Sequence, residues 1–141
     1  MAKECFEFLH KQLNIPETAI YLEPSAGAGS FIDLLQHYIA LDIAPEDDRI
    51  EKQDYLKYQT DKTDFITIGN PPFGNRSKLA TDFFNKAASM SEVIAFIVPV
   101  SFMKWSGQKN LRSNFSLHSY MYLEPESFSD NGQPYSVRTV F

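Results

Sequence analysis

The chain has 141 residues, a mass of 16.1 kDa and a formal net charge of -5. That length fits one domain with one core and excludes a two-domain enzyme, while 43% apolar and 14% aromatic residues exclude a disordered tail. A single cysteine and three scattered histidines (His10, His37, His118) exclude a disulfide scaffold and a zinc enzyme, and the negative charge argues against gripping nucleic acid by bulk electrostatics alone.

Residues 3–13 place Phe6, Leu9 and Leu13 at helical spacing, and Pro16 stops the pattern. Ala19 to Leu22 is a short apolar run that ends at Glu23 and reads as a first strand. A glycine-bearing turn follows. Phe31, Leu34 and Leu35 suit a helix opening on that turn, and Tyr38 to Ile43 reads as a second strand, which together predict a βαβ unit with a right-handed crossover. Ile50 to Leu56 has a weaker strand pattern. Phe65 to Ile68 is a fourth strand, halted by Pro71 and Pro72, which cannot continue a central strand. Leu79 to Met90 has helical spacing, and Val93 to Val98 is the near-continuous apolar run of a strand covered on both faces. Segment 107–115 reads as helical, Ser119 to Leu123 as a sixth strand and Val137 to Phe141 as a last edge strand. Strands alternating with helices imply a mostly parallel sheet with helices on both faces, in one domain spanning residues 1–141. The longest apolar run, Val93 to Val100, is far below the roughly 20 residues of a membrane helix, and no leader pattern opens the chain. The expectation is a soluble cytoplasmic or nucleoid-associated protein with no membrane partner, not a secreted one.

Charge is uneven along the chain. Residues 1–70 hold six Lys/Arg and thirteen Asp/Glu, whereas residues 71–141 hold seven Lys/Arg and five Asp/Glu, so the two halves are expected to face differently charged ligands.

In such sheets ligands collect beyond the carboxyl ends of the strands, so the residues just after each strand matter most. The first turn runs from Glu23 and Pro24 through Ala26, Gly27 and Gly29 to Phe31. Two glycines let backbone N–H groups approach a ligand closely. The third glycine of the dinucleotide fingerprint is missing, and Glu23 would repel a pyrophosphate while attracting an ammonium group. Asp42, nineteen residues after Glu23, stands where an acid can take both hydroxyls of a ribose. Asp54, with Tyr55 beside it, could accept a bond from an adenine amino group. An ammonium, a ribose and an adenine are the three parts of S-adenosylmethionine. Acids after strands are also common helix caps, which is the alternative for Asp42 and more so for Asp54.

The third turn, Asn70-Pro71-Pro72-Phe73, is the most informative. An exocyclic amine such as adenine N6 is a poor nucleophile because its lone pair is delocalised into the ring. Two acceptors, the Asn70 side-chain oxygen and the Pro71 carbonyl, could hold its hydrogens and turn the lone pair toward a methyl donor. The prolines stiffen that geometry, and Phe73 could stack on the presented base.

The sequence resembles the class I S-adenosylmethionine-dependent methyltransferases of the amino-methylating group, such as the N6-adenine DNA methyltransferases. An acid-P-x-x-G-x-G-x-F motif and an N-P-P-[FYW] motif recur there, and here they begin at Glu23 and Asn70. The resemblance covers about residues 17–141. It implies a Rossmann-like class I methyltransferase fold with a mostly parallel seven-stranded sheet. It further implies a cofactor, S-adenosyl-L-methionine, held by Glu23, Pro24, Ala26, Gly27, Gly29 and Phe31 at the methionine part. Asp42 and Ile43 would hold the ribose and adenine, and Asp54 and Tyr55 the adenine amino group. Asn70, Pro71, Pro72 and Phe73 would hold the target amine. No metal is implied. The implied substrate is adenine N6 in DNA, with RNA adenine and protein glutamine as alternatives, or a non-catalytic cofactor-binding subunit. Such DNA enzymes carry a target-recognition region of a hundred or more residues, for which this chain leaves no room after its sixth strand, so a recognition partner subunit or a single-stranded target is expected. The last strand pattern breaks off early, as in a shortened chain or a minimal enzyme.

Arg76, Lys78, Lys104, Lys109 and Arg112 also follow strands. They read as a solvated charged face, with phosphate contact as the alternative, and Trp105 reads as either half-buried or free to stack on a base. The run from Glu46 to Asp48 reads as a solvated loop.

Overall fold

A computed structural model of the chain describes residues 1–124, 129–130, 133–134 and 138–141. The first helix, α1 (Ala2–Gln12), buries Cys5 and Leu9 one turn apart and leaves Lys3 and Glu7 outside as an i,i+4 pair at 3.8 Å. Leu13 is extended and ends the helix. Strands β1 (Tyr21–Glu23), β2 (Tyr38–Asp42), β3 (Glu51–Lys52), β4 (Phe65–Gly69) and β5 (Ser91–Phe96) form one sheet in the order β3-β2-β1-β4-β5, with every pair parallel. From the centre the chain winds first toward β3, then crosses back and winds toward β5. The reversal falls between β1 and β4.

Both faces of this sheet are covered. On one, Cys5 and Leu9 of α1 pack with Tyr21, Ala40, Ile66 and Ala95. On the other, helix α2 (Lys78–Ala87) packs Phe83 and Ala87 against Leu22, Leu41, Phe65 and Phe96. Alternate residues of each strand therefore serve opposite layers, which is why all five residues of β4 are buried. Burying Phe65 completely contributes about 1.5–3 kcal/mol. Thr67, polar and fully buried in β4, is satisfied by the Ser91 hydroxyl at 2.6 Å. The edge strand β3 carries exposed Glu51 and Lys52, charges that discourage pairing with another chain.

Several expectations are corrected. The crossover from β1 to β2 contains a single 3-10 turn, Ile32–Leu34, in place of a helix, although Phe31, Ile32 and Leu35 are buried as the apolar pattern requires. Only eight residues separate Gly29 from Tyr38. An α-helix of that length advances about 12 Å and would leave none for the turn into β2. The third strand shrinks to Glu51–Lys52, followed by a 3-10 turn at Tyr55–Lys57.

The single seven-stranded sheet is divided. Only Ile97 separates β5 from β6 (Val98–Pro99), which belongs to a second, antiparallel sheet with β7 (Tyr122–Leu123) and β10 (Thr139–Val140), in the order β6-β10-β7. A small hairpin pairs β8 (Ser129–Asp130) with β9 (Gln133–Pro134). The helix expected at 107–115 is a short one, α3 (Trp105–Gln108), and the strand expected from Ser119 begins at Tyr122. Val137, the expected start of the last strand, lies outside the described residues. Among the described residues no helix is long and apolar enough to cross a membrane.

Candidate functional site

In open parallel sheets the crevice for a ligand opens where the winding reverses, beyond the carboxyl ends of the two strands involved. Those strands are β1 and β4, in register at Leu22 and Thr67. β1 ends at Glu23 and β4 at Gly69, directly before Asn70. A Cβ at Gly69 would stand 3.4 Å from Pro24 Cδ and 3.5 Å from Glu23 Cγ, ordinary contact distances that place the two turns side by side. The Ser25 hydroxyl donates to the Asn70 carbonyl at 3.1 Å and ties them. Between them lies a cavity of about 470 Å³ lined by Glu23, Ser25, Ala26, Gly27, Phe31 and Asn70. The start of α1 (Met1, Ala2, Lys3) and Ser30 complete its wall. Its size falls within the roughly 300–1,000 Å³ of small-molecule sites.

The glycine turn requires its glycines. Gly27 has φ +54° and Gly29 φ +87°, and a Cβ on Gly29 would lie 3.1 Å from the Ile32 side chain. Asp42 braces this turn from β2: one carboxylate oxygen accepts the Gly27 N–H and the other the Ala44 N–H, each at 2.8 Å. The Gly27 carbonyl in turn accepts the Glu46 N–H at 3.0 Å. Beyond it Arg49 bridges Asp47 and Asp33, at 2.6 and 2.7 Å, in an exposed ion-pair network on the loop through Glu46 and Asp48, which are solvated as expected. The hydrogen bonds from Arg49 hold the Asp47 carboxyl down at about 2.

Glu23 is the electrostatic centre of the cavity. It is 2% exposed, and one carboxyl oxygen, Oε2, has no hydrogen-bond partner among the described residues. Burial, and secondly the nearby charge of Asp42, push it up from the ordinary 4.5 to about 8. A buried carboxyl of this kind is neutral near pH 7 until a cation or donor reaches it.

At the second turn Asn70 is half-buried, Pro71 buried, Pro72 exposed and Phe73 half-buried. Among the described residues the Asn70 side-chain amide has no hydrogen-bond partner, and Asn70 is part of the cavity wall. The Phe73 carbonyl accepts the Ala80 N–H at 3.3 Å and anchors the turn to α2. Directly after it the backbone is strained: Gly74, Arg76 and Ser77 all have positive φ, and for the two non-glycine residues this costs about 1–3 kcal/mol each.

The remaining candidates lie apart. Ile43 is 69% exposed on the loop after β2 and does not line the cavity. Asp54 caps the 3-10 turn, its carboxylate accepting the Leu56 N–H at 3.0 Å, which is the capping alternative for this position. Tyr55 is 1% exposed in the layer under α2, its ring centroid 4.9 Å from that of Phe83, and its hydroxyl has no partner among the described residues. Ser25, Ser30 and the first three residues join the site without having been singled out. Ser25 lay inside the turn already recognised, whereas nothing in the sequence signals that the start of α1 folds over it. No protein-family model matches the chain, and no curated protein matches it at a significant level.

Proposed function

We propose that the chain is an S-adenosylmethionine-dependent methyltransferase that methylates an exocyclic amine, foremost adenine N6 in DNA. One observation carries this reading: Asn70 and the buried, unpartnered carboxyl of Glu23 line the same cavity at the reversal of the sheet. The residues fit the cofactor. Glu23 suits its ammonium group, and the glycine turn gives close backbone approach at Gly27. Asp42 keeps a lone pair on each oxygen beyond the N–H it already accepts, enough for ribose hydroxyls. When bound, the cofactor supplies a methyl group on a sulfonium, which needs no activation by the protein.

The task left to the protein is to present the nitrogen. The Asn70 side-chain oxygen and the Pro71 carbonyl accept the two amino hydrogens, which favours a pyramidal nitrogen whose lone pair is withdrawn from the ring π-system, and Phe73 covers the base. Asn70 stays neutral throughout, so the amine loses its extra proton to solvent after transfer and no tuned base is required. In duplex DNA the base must leave the stack at a cost of a few kcal/mol, which favours a single-stranded target or a partner subunit that opens the duplex. RNA adenine presents the same amine, and protein glutamine poses the same electronic problem.

The test is transfer of a tritiated methyl group to DNA, RNA and protein, with cofactor binding followed by calorimetry. We expect label in nucleic acid, lost in Asn70→Ala with cofactor affinity largely kept. Binding without transfer to any substrate would favour a non-catalytic subunit, and unchanged turnover in Asn70→Ala would overturn the mechanism.

A further inference from the structure

We propose that Trp105 and the cations around it form a stacking platform for a single strand of nucleic acid, beside the Asn70 turn. This rests on the reading of the chain as a nucleic-acid methyltransferase and names the surface that would hold the strand.

Trp105 is 78% exposed, the most exposed large apolar side chain among the described residues. Indole is costly to leave in water, and this one is not on a floppy loop. The segment before it is a 3-10 turn (Val100–Met103), and Gly107 is packed so tightly on that turn that a Cβ would lie 2.3 Å from the Ser101 carbonyl oxygen and 2.9 Å from Phe102 Cα. Phe102 is buried and roots the turn in the protein. Hydrogen bonds from Gly107 and Gln108 to the Lys104 carbonyl, at 3.0 and 3.1 Å, and from Lys109 to the Trp105 carbonyl, at 2.9 Å, close the short helix α3. The indole is thus held outward on a rigid corner. The Lys109 ammonium sits over the ring at 5.2 Å, and the high exposure leaves the other face open.

The charge along the flanking sequence has one sign, although Glu92 lines the same groove as Lys109 and Arg112. From Val93 to Leu123 the chain contains no acidic residue, while Lys104, Lys109 and Arg112 are exposed and form no ion pair among the described residues. In a chain of net charge -5 this is a local reversal. A planar aromatic with one open face and cations nearby in the chain matches a single strand, whose bases offer π-faces and whose phosphates run alongside. The placement is favourable too. β4 and β5 end in register at Gly69 and Phe96, and the Ile97 N–H donates to the Gly69 carbonyl at 2.9 Å, so the segment leading to Trp105 leaves the sheet beside the Asn70 turn.

Trp105 is the sole tryptophan, so its fluorescence reports on this site alone. The native chain would be titrated with adenine-containing 12-mers of single-stranded DNA, of RNA and of duplex DNA, with affinity read separately by anisotropy. We expect saturable quenching by single strands, the DNA and RNA arms showing which polymer is preferred, and weaker quenching by duplex. Trp105→Ala should weaken single-strand binding about 5- to 150-fold, as expected from stacking of one base, and Trp105→Phe less. Lys109→Ala should lower the salt slope by about 0.7. The substituted side chains are exposed, and circular dichroism would confirm an unchanged fold. Absence of quenching, or wild-type affinity in Trp105→Ala, would overturn the platform even if methyl transfer proceeds. Quenching in a protein that binds no S-adenosylmethionine would instead remove the methyltransferase reading and leave the platform standing.

Discussion

The Ser25 hydroxyl donates to the Asn70 carbonyl at 3.1 Å, joining two turns that are 45 residues apart in the chain. A strand-end serine here fixes the direction in which the Asn70 peptide faces. Ser25→Ala should cost about 0.5–1.5 kcal/mol in urea unfolding, the usual net worth of such a bond. It should also slow single-turnover methyl transfer more than it weakens cofactor binding. A variant that loses cofactor affinity while keeping its transfer rate would contradict that assignment.

The buried carboxyl of Glu23 makes stability depend on pH in an unusual direction. Its value rises from 4.5 to about 8 on folding, so between those limits the unfolded chain has released a proton that the native protein keeps. Stability therefore falls as pH rises through this window and levels off above it. Glu23→Gln should flatten the dependence and melt at a higher temperature than wild type at pH 9. A cationic ligand should release a proton on binding near pH 7, seen in calorimetry as a heat that depends on the buffer. Heats independent of buffer would count against ionisation of Glu23 by the ligand.

The two glycines of the turn should respond unequally to alanine. Gly27 has φ +54° with open space where a Cβ would go, so Gly27→Ala should lose about 1–2 kcal/mol of stability. Gly29 has φ +87° and meets Ile32 at 3.1 Å, so Gly29→Ala should lose more, about 2–4 kcal/mol. Thermal melts of both variants would decide, and equal losses would refute the distinction.

Thr67 and Ser91 satisfy each other inside the sheet at 2.6 Å. Thr67→Val strands the Ser91 hydroxyl and should cost about 1–3 kcal/mol, whereas adding Ser91→Ala should recover part of that loss. A double variant no more stable than Thr67→Val would show that the bond is not the source of the effect.

The parts of the fold that were legible in the sequence are those where local pattern and tertiary role coincide. Phe65 to Ile68 is apolar but for Thr67 because β4, inside the parallel sheet, meets a layer on each face, and Val93 to Val98 is apolar throughout although β5 lies at the edge of that sheet. The crossover after Gly29 misled because Phe31, Leu34 and Leu35 fit a helix by spacing, while the eight residues available fix a tighter path. That limit could have been counted. At the site, Glu23, the glycine turn and Asn70 were legible because each directly follows a strand. Asp54 and Tyr55 follow one as well, but a cap and a buried ring look the same as ligand contacts until partners are known. The start of α1 over the cavity is a contact between distant segments, and no local pattern encodes it.

The placement of Gly69 beside Pro24 and Glu23, on neighbouring strands, has a consequence for how such a protein can change. Adjacent strands sit about 4.8 Å apart, so the interval between the two turns is set by the hydrogen-bonded lattice of the sheet and not by side chains. Loops farther out can lengthen, shorten or trade residues, and preferences for one guest over another can drift with them, while the ruler between the two holding points keeps its length.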